Sequence, residues 1–369
     1  MKKYSLVLAI FLMLSAAPAL AAGKTTTTSS KATWNPLAPV DYTLITWAQA
    51  PGIASYFKPP SDNGAIDFLT RIYLPKNQIN FLVSPTPPVS PAAAKSNTEA
   101  SGLDAQATVG AGAPADISSF PNLTFARIGA EAAKAIDPSI KFIWDAAFFN
   151  MKPLASDLSM AVKYTTSSTT TISSGSRSAS DMALPRRMLI INNQTGKAEI
   201  ENFDSSIFTD PESGDQALEG FSPAVVKTDS SSPAASRLFL GVSTDGEELE
   251  VYCSQLATVQ EASDALTAAG VSIDHQLEAD GGASAACGYN LPGQFFVEPT
   301  RSLPLLMGAK TIFARGKITA STANVRSGPS TKFSIVSKLS KGTTVLAFGE
   351  LNGWYRIGDG EWVIKSLVK

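Results

Sequence analysis

Two short stretches of this 369-residue chain hold residue types that do chemistry, and each has a plain structural reading beside the reactive one. The first is Tyr252-Cys253-Ser254, just ahead of a helix-like run, where a thiolate would be activated by the helix N-terminus. The single histidine, His275, has no clear orienting group and reads as structural. The only other cysteine is Cys287, and in an oxidising compartment the expectation is a Cys253–Cys287 disulfide. The second stretch is Glu278-Ala279-Asp280-Gly281-Gly282-Ala283-Ser284. Taken alone, Asp280-Gly281-Gly282 is an ordinary turn, because glycine accepts positive φ and aspartate bonds its own backbone. The same glycines would also let backbone amides approach an anion closely. No histidine or cysteine set stands at metal-ligand spacing, so no cofactor is required, while a carboxylate-bound divalent cation is compatible with the residues.

The elements that must position these residues are mostly short β-rich runs: Arg71 to Leu74, Ile79 to Val83, Ile140 to Trp144, Met188 to Asn192, Arg237 to Val242 and Leu249 to Cys253. The clearest helix runs from about Val259 to Ala269, with Thr258 as N-cap, Val259, Ala262, Leu266 and Ala269 on one face, and Gly270 as the stop. A further strand, around Val271 to Leu277, delivers the chain to Asp280. Strand, helix, strand predicts an α+β body built on a mixed sheet. Polar stretches interrupt it: a flexible lead over 23–39, a disordered surface insertion near 84–115, and a Ser/Thr tract from Tyr164 to Ser180, read as a loop rather than an edge strand.

The body, residues 40–314, resembles the phosphodiester glycosidases related to the enzyme that uncovers mannose 6-phosphate by removing N-acetylglucosamine. WDAAFFNM at 144–151 looks like the family's NGGFF element, and SRLFLGVSTDGEELEVY at 236–252 like its Arg-containing hairpin. The helix followed by EADGGASAACGY, and then PTRSLPLLMGA at 299–309, follow in the family's order. The resemblance implies cleavage between a sugar's anomeric carbon and a phosphodiester oxygen, with positive charge developing on the sugar and negative charge on the departing phosphate. It assigns Asp280 as acid/base or stabiliser of the sugar cation, Ser284 as a hydrogen-bond donor, and Gly281 and Gly282 as amide donors. Arg237 and Arg301 would clamp phosphate oxygens. The chain departs from the family at Asp145-Ala146-Ala147 and at Ala283. Asp145 either repels a phosphodiester or supplies a second carboxylate.

Residues 316–369 carry five apolar or alternating runs separated by Ser327-Gly328-Pro329-Ser330, Lys341-Gly342, Asn352-Gly353 and Asp359-Gly360, a pattern that predicts a small all-β SH3-like barrel. Ala323-Asn324-Val325-Arg326-Ser327-Gly328-Pro329-Ser330 and Gly353-Trp354-Tyr355-Arg356-Ile357 resemble the bacterial SH3 family closely. That resemblance implies binding of a cell-wall peptide or envelope protein. Trp354, Tyr355 and Trp362 would form the binding face, with Arg326 and Lys341 beside an acidic ligand; the alternative is that the aromatics are core.

Residues 1–22 have the layout of a signal peptide: Lys2 and Lys3, an apolar run from Leu6 to Leu14 too short to span a bilayer, and Ala19-Leu20-Ala21. Cleavage near Ala21 or Ala22 predicts a periplasmic or secreted protein without a membrane span. Hydrophobic residues make up 44% of the chain, enough for packed cores. With 30 basic and 32 acidic residues overall, nucleic acid is not indicated as a partner. Three functions follow: an exported hydrolase of a glycosyl phosphodiester brought to its substrate by the tail, a non-catalytic envelope glycan- or peptidoglycan-binding protein, and, more remotely, a cysteine-dependent cell-wall peptidase.

Overall fold

The computed structural model of the chain describes residues 34, 36–60, 65–82, 115–116, 119–121, 137, 139–150, 155–165, 170–173, 175, 184–210, 215–226, 233–289, 295–301 and 303–369. Residues 1–22, expected as a signal peptide, most of the expected lead and nearly all of the expected 84–115 insertion lie outside the described residues. Residues 36–369 form one compact unit.

The body corrects the expected α+β class: it is a mostly β domain, and Val259–Ala268 (α1) is its only described helix longer than a single turn. The reason is visible in the sequence. Among the described residues, that segment carries the sustained 3.6-residue apolar period with a cap, and Thr258 with Glu261 completes the capping box. The other apolar runs are strand-length and are rich in β-branched and aromatic residues. They are joined largely as antiparallel neighbours, which need no crossover helix.

In chain order the strands are Thr43–Ala50 (β1), Ile53–Lys58 (β2), Asp67–Tyr73 (β3), Asn77–Leu82 (β4), Ala115–Asp116 (β5), Ser119–Pro121 (β6), Ile140–Asp145 (β7), Phe149–Asn150 (β8), Ala155–Leu158 (β9), Val162–Thr165 (β10) and Thr170–Ser173 (β11). Then come Arg186–Asn192 (β12), Lys197–Asn202 (β13), Gln216–Phe221 (β14), Ala235–Val242 (β15), Glu248–Ala257 (β16), Gln276–Gly281 (β17), Cys287–Tyr289 (β18), Phe295–Val297 (β19) and Leu306–Thr311 (β20). The large sheet runs β1-β2-β3-β16-β15-β17-β14-β10-β11-β5, with β12 also on β14 and β13 on β12. A second sheet runs β19-β18-β7-β20-β4. The Ser/Thr tract, expected as a loop, pairs as the β10–β11 hairpin from Val162↔Ser173 to Thr165↔Thr170, and Val162 also pairs with Leu218 of β14. The segment expected as one strand from Val271 instead begins as a 3-10 turn, Ile273–His275, and the strand proper starts at Gln276.

The two sheets pack face to face over one apolar core that takes Leu238, Leu240, Val251 and Cys253 from the large sheet and Phe142, Trp144, Cys287 and Met307 from the second. The disulfide Cys253–Cys287 joins β16 to β18 and so staples sheet to sheet. The cysteines are paired as expected and no free cysteine is present, which removes the thiol nucleophile that a peptidase would need.

The tail continues from β20 through Ala314–Lys317 (β21), Thr322–Arg326 (β22), Ile335–Ser340 (β23), Thr344–Ala347 (β24), Gly349–Leu351 (β25), Trp354–Gly358 (β26) and Glu361–Ile364 (β27). These seven strands replace the five expected: Thr322–Arg326 pairs as a strand, and the run between the Lys341-Gly342 and Asn352-Gly353 turns divides into β24 and β25. The junction with the body is not a free linker. Arg315 donates to the carbonyls of Asn193 (2.7 Å), Gln194 (2.5 Å) and Leu74 (3.2 Å), and Lys310 Nζ sits 3.8 Å above the Phe348 ring.

Candidate functional site

Asp145 ends β7 and Asp280 lies next to the end of β17, so one carboxylate comes from each sheet. Strand alternation aims Asp280 into the space between the sheets. It is opposite Leu238, which is opposite Cys253, and both of these belong to the inter-sheet core. Asp145 and Asp280 each have 0% exposure. Asp280 Oδ1 accepts the Gly281 N–H (2.7 Å) and Asp145 Oδ1 accepts the Ala146 N–H (2.8 Å). The Oδ2 of each takes no donor from the surrounding chain. The two carboxyls nevertheless lie near enough to influence one another's charge. Burial, reinforced by the Asp280 charge, pushes the Asp145 carboxyl well above the usual carboxylate range, and burial also raises Asp280. Like charges near one another in a dry site repel, which favours the protonated form of one of the two. Each aspartate accepts one backbone amide, and the Ser284 side chain beside Asp280 further favours its charged form.

Arg301 supplies the compensating positive charge. Its guanidinium donates to Ser284 Oγ (2.7 Å), lies 4.5 Å over the Phe149 ring and acts electrostatically on both aspartates. Ser284 in turn donates to the Gly281 carbonyl (3.3 Å). Gly282 has φ +72, where a side chain would be strained, and a Cβ there would meet nothing within 4 Å, so the outward face of the turn is open. Asp145, Asp280, Ser284, Arg301, Gly281 and Gly282 therefore come together. Ala146 and Ala147 are buried and pack in the core, away from that open face, whereas Ala283 is exposed.

Arg237 sits elsewhere. It is opposite Gly281 and Ser254, on the other face of the sheet from Asp280. Its donors go to Glu278 Oε1 (2.8 Å) and to the carbonyls of Pro233 (3.0 Å) and Ala257 (3.3 Å). Glu278, which the sequence reading left without a role, is thus the partner that takes Arg237 away from any phosphate. The pair packs on Gly281, where a Cβ would lie 3.3 Å from Arg237 and 3.4 Å from Glu278. Their side chains are 13% and 6% exposed, so removing one partner strands a buried charge. Glu278→Ala is expected to destabilise the fold by about 3–5 kcal/mol in denaturant titration, and adding Arg237→Ala should recover part of that loss. If the double variant is less stable than the single, the pair is not the reason for the loss. Phe149 is the second residue left without a role; its sequence signal was the paired aromatics Phe148-Phe149 of the WDAAFFNM motif.

In the tail, Trp354, Tyr355 and Trp362 do not share a face. Tyr355 is opposite Val363 and packs on the barrel core, while Trp354 and Trp362 point to the other side. Trp354 is 8% exposed and Trp362 is half-buried. His275 lines a polar groove of about 450 Å³ with Lys197, Glu199 and Asp245, away from the aspartate pair.

Residues 321–369 match the bacterial SH3 domain family, so the tail is a bacterial SH3 domain, as its motifs imply. Among solved structures, the chain is similar to the zebrafish N-acetylglucosamine-1-phosphodiester alpha-N-acetylglucosaminidase catalytic domain auto-inhibited by its pro-peptide. Identity is 11%, over 73% of this chain and 88% of that one, with a TM-score of 0.42. A protein from Burkholderia pseudomallei is similar at 8% identity, over 69% of this chain and 74% of that one, with a TM-score of 0.31. None of the curated proteins matches the chain. Among the described residues, no helix is long and apolar enough to cross a membrane and no group of side chains is arranged to hold a metal ion.

Proposed function

We propose that the body is a hydrolase that cleaves a sugar's anomeric carbon from a phosphodiester oxygen in an envelope or extracellular glycan, and that the SH3 domain directs it there. The reading includes export through residues 1–22, and the disulfide fits an oxidising compartment. The observation that carries it is the buried Asp145 and Asp280 carboxyls, one from each sheet, with Arg301 and Ser284 beside them.

The chemistry follows from the charges. With one proton on the pair and one positive charge on Arg301, the cluster is neutral overall, so a phosphodiester monoanion meets no net repulsion from it. Carboxyls in contact cannot flank a sugar from two sides, as a separated glycosidase pair does. They act as one acid–base unit. That suffices for a departing phosphate monoester, whose second pKa is about 6 and which needs less help than an alkoxide. As the bond from the anomeric carbon to the phosphoryl oxygen breaks, Asp145 gives its proton to that oxygen and the Asp280 charge stabilises the sugar cation. Water then bonds to the anomeric carbon and returns a proton to the pair.

The second reading, a glycan-binding protein without activity, is favoured by one observation: both carboxyls have 0% exposure. Hydrolysis of a panel of sugar 1-phosphodiesters by the folded protein, with Arg301→Ala as control, separates the two. Turnover reduced about 10²-fold or more in the variant supports the hydrolase. A folded wild type inert on every sugar overturns it in favour of the binding protein.

A further inference from the structure

On the helix face of the large sheet, away from the aspartate pair, a cavity of about 360 Å³ opens between the start of β1, the ends of β2 and β16, and α1. This volume is within the range of small-molecule sites. Asp41, Asp67, Glu261 and Asp264 line it against one cation, Lys58. The excess of negative charge selects a cation. A second observation is independent of that charge. Tyr42 also lines the cavity and is only 8% exposed, yet its hydroxyl has no hydrogen-bond partner. A buried hydroxyl left unpaired costs free energy, and a ligand that pairs it recovers that cost. Asp67 lines the cavity with Tyr42, and its charge acts on the Tyr42 hydroxyl. Tyr252, fully buried, donates its hydroxyl to Asp67 Oδ1 at 2.9 Å, which holds the carboxylate in place.

The occupant needs several donors, a positive charge and small size. A primary ammonium group has three N–H donors and no acceptor, which matches a fixed carboxylate beside a hydroxyl lone pair and a second carboxylate. We propose that this cavity binds the primary ammonium group of a small polar ligand, with Asp67 as its charge partner and the Tyr42 hydroxyl and Asp41 as further acceptors. Such a group is presented by an unacetylated amino sugar or by a lysine-type side chain. The site is distinct from the Asp145–Asp280 pair, so its occupancy does not depend on hydrolysis.

The test is an NMR titration of the isotope-labelled protein with glucosamine, N-acetylglucosamine and lysine amide as separate arms. The expected result is binding of one or both amines, with shifts centred on 41–42, 58 and 67, and affinity at least about tenfold below that level for N-acetylglucosamine, the worth of one charge-assisted hydrogen bond. The tighter amine identifies the source. Asp67→Asn should weaken binding about tenfold or more and Tyr42→Phe by a smaller factor. Asp41→Asn serves as the variant that cannot unfold the chain, since Asp41 is exposed at φ +67 and asparagine accepts that conformation. It too should weaken binding. Equal shifts with N-acetylglucosamine, or undiminished binding in a folded Asp67→Asn or Asp41→Asn variant, would overturn the proposal.

Discussion

Asp280→Asn is expected to lower kcat on a sugar 1-phosphodiester by about 10²–10⁴-fold, the usual contribution of a positioned acid–base group, with the fold intact. Asparagine keeps an oxygen for the Gly281 amide but carries no negative charge for the sugar cation and cannot share a proton. Asp145→Asn should also lose activity, yet its stability should move the other way. The Asp145 carboxyl binds its proton more tightly folded than unfolded, because burial and the Asp280 charge raise it. Its contribution to stability is therefore full below the unfolded carboxylate value near pH 4 and is lost as pH rises through the raised folded value. The amide removes that loss. Thermal melts of Asp145→Asn should accordingly show a higher neutral-pH Tm than wild type and a flatter fall between acid and neutral pH. A variant less stable than wild type at neutral pH, or an active Asp280→Asn, would mean that the pair is not the buried acid–base unit proposed above.

Replacing both cysteines, Cys253→Ser with Cys287→Ser, is expected to cost about 4 kcal/mol, the loop-closure value for a separation of 34 residues. For a domain of this size that is a fall of roughly 10 °C in Tm. The effect should reach the site, because this bond ties β16 to β18. Asp280 lies two strands from Cys253 in the large sheet, while Asp145 is adjacent to Trp144, which faces Cys287 in the second. Loosening the staple lets the two carboxyls drift apart. Reduction of the wild type by dithiothreitol should reproduce both the lower Tm and the loss of turnover. A double variant that melts within a degree or two of wild type would show that sheet packing alone holds the two halves together.

Local chemistry was readable at the scale of a few residues. Thr258 and Gly270 bound the helix, because capping is decided by neighbours within one turn. The order of motifs from 321 to 369 identified the SH3 domain, since its turns need glycine at set positions. The α+β class was misread because apolar strand runs do not state how they are connected. The Ser/Thr tract was misread because its strand state rests on Val162 finding Leu218, a contact with no local signature.

The Asp145–Asp280 contact is the sharpest case. Both residues were named from sequence, 135 positions apart, but a strand pattern of period two says only that alternate side chains share a face. Whether that face meets solvent, a helix or a second sheet is settled by long-range pairing. Arg237 and Asp280 both stood in recognised motifs and were read as one cluster, yet the register of β15 on β17 puts them on opposite faces of the sheet. By itself, then, the sequence determined residue types, caps, turns and the identity of the tail. Only the tertiary structure decided which carboxyls are brought together and which arginine lies beside them, because charge interactions depend on distance and burial, and neither is encoded locally.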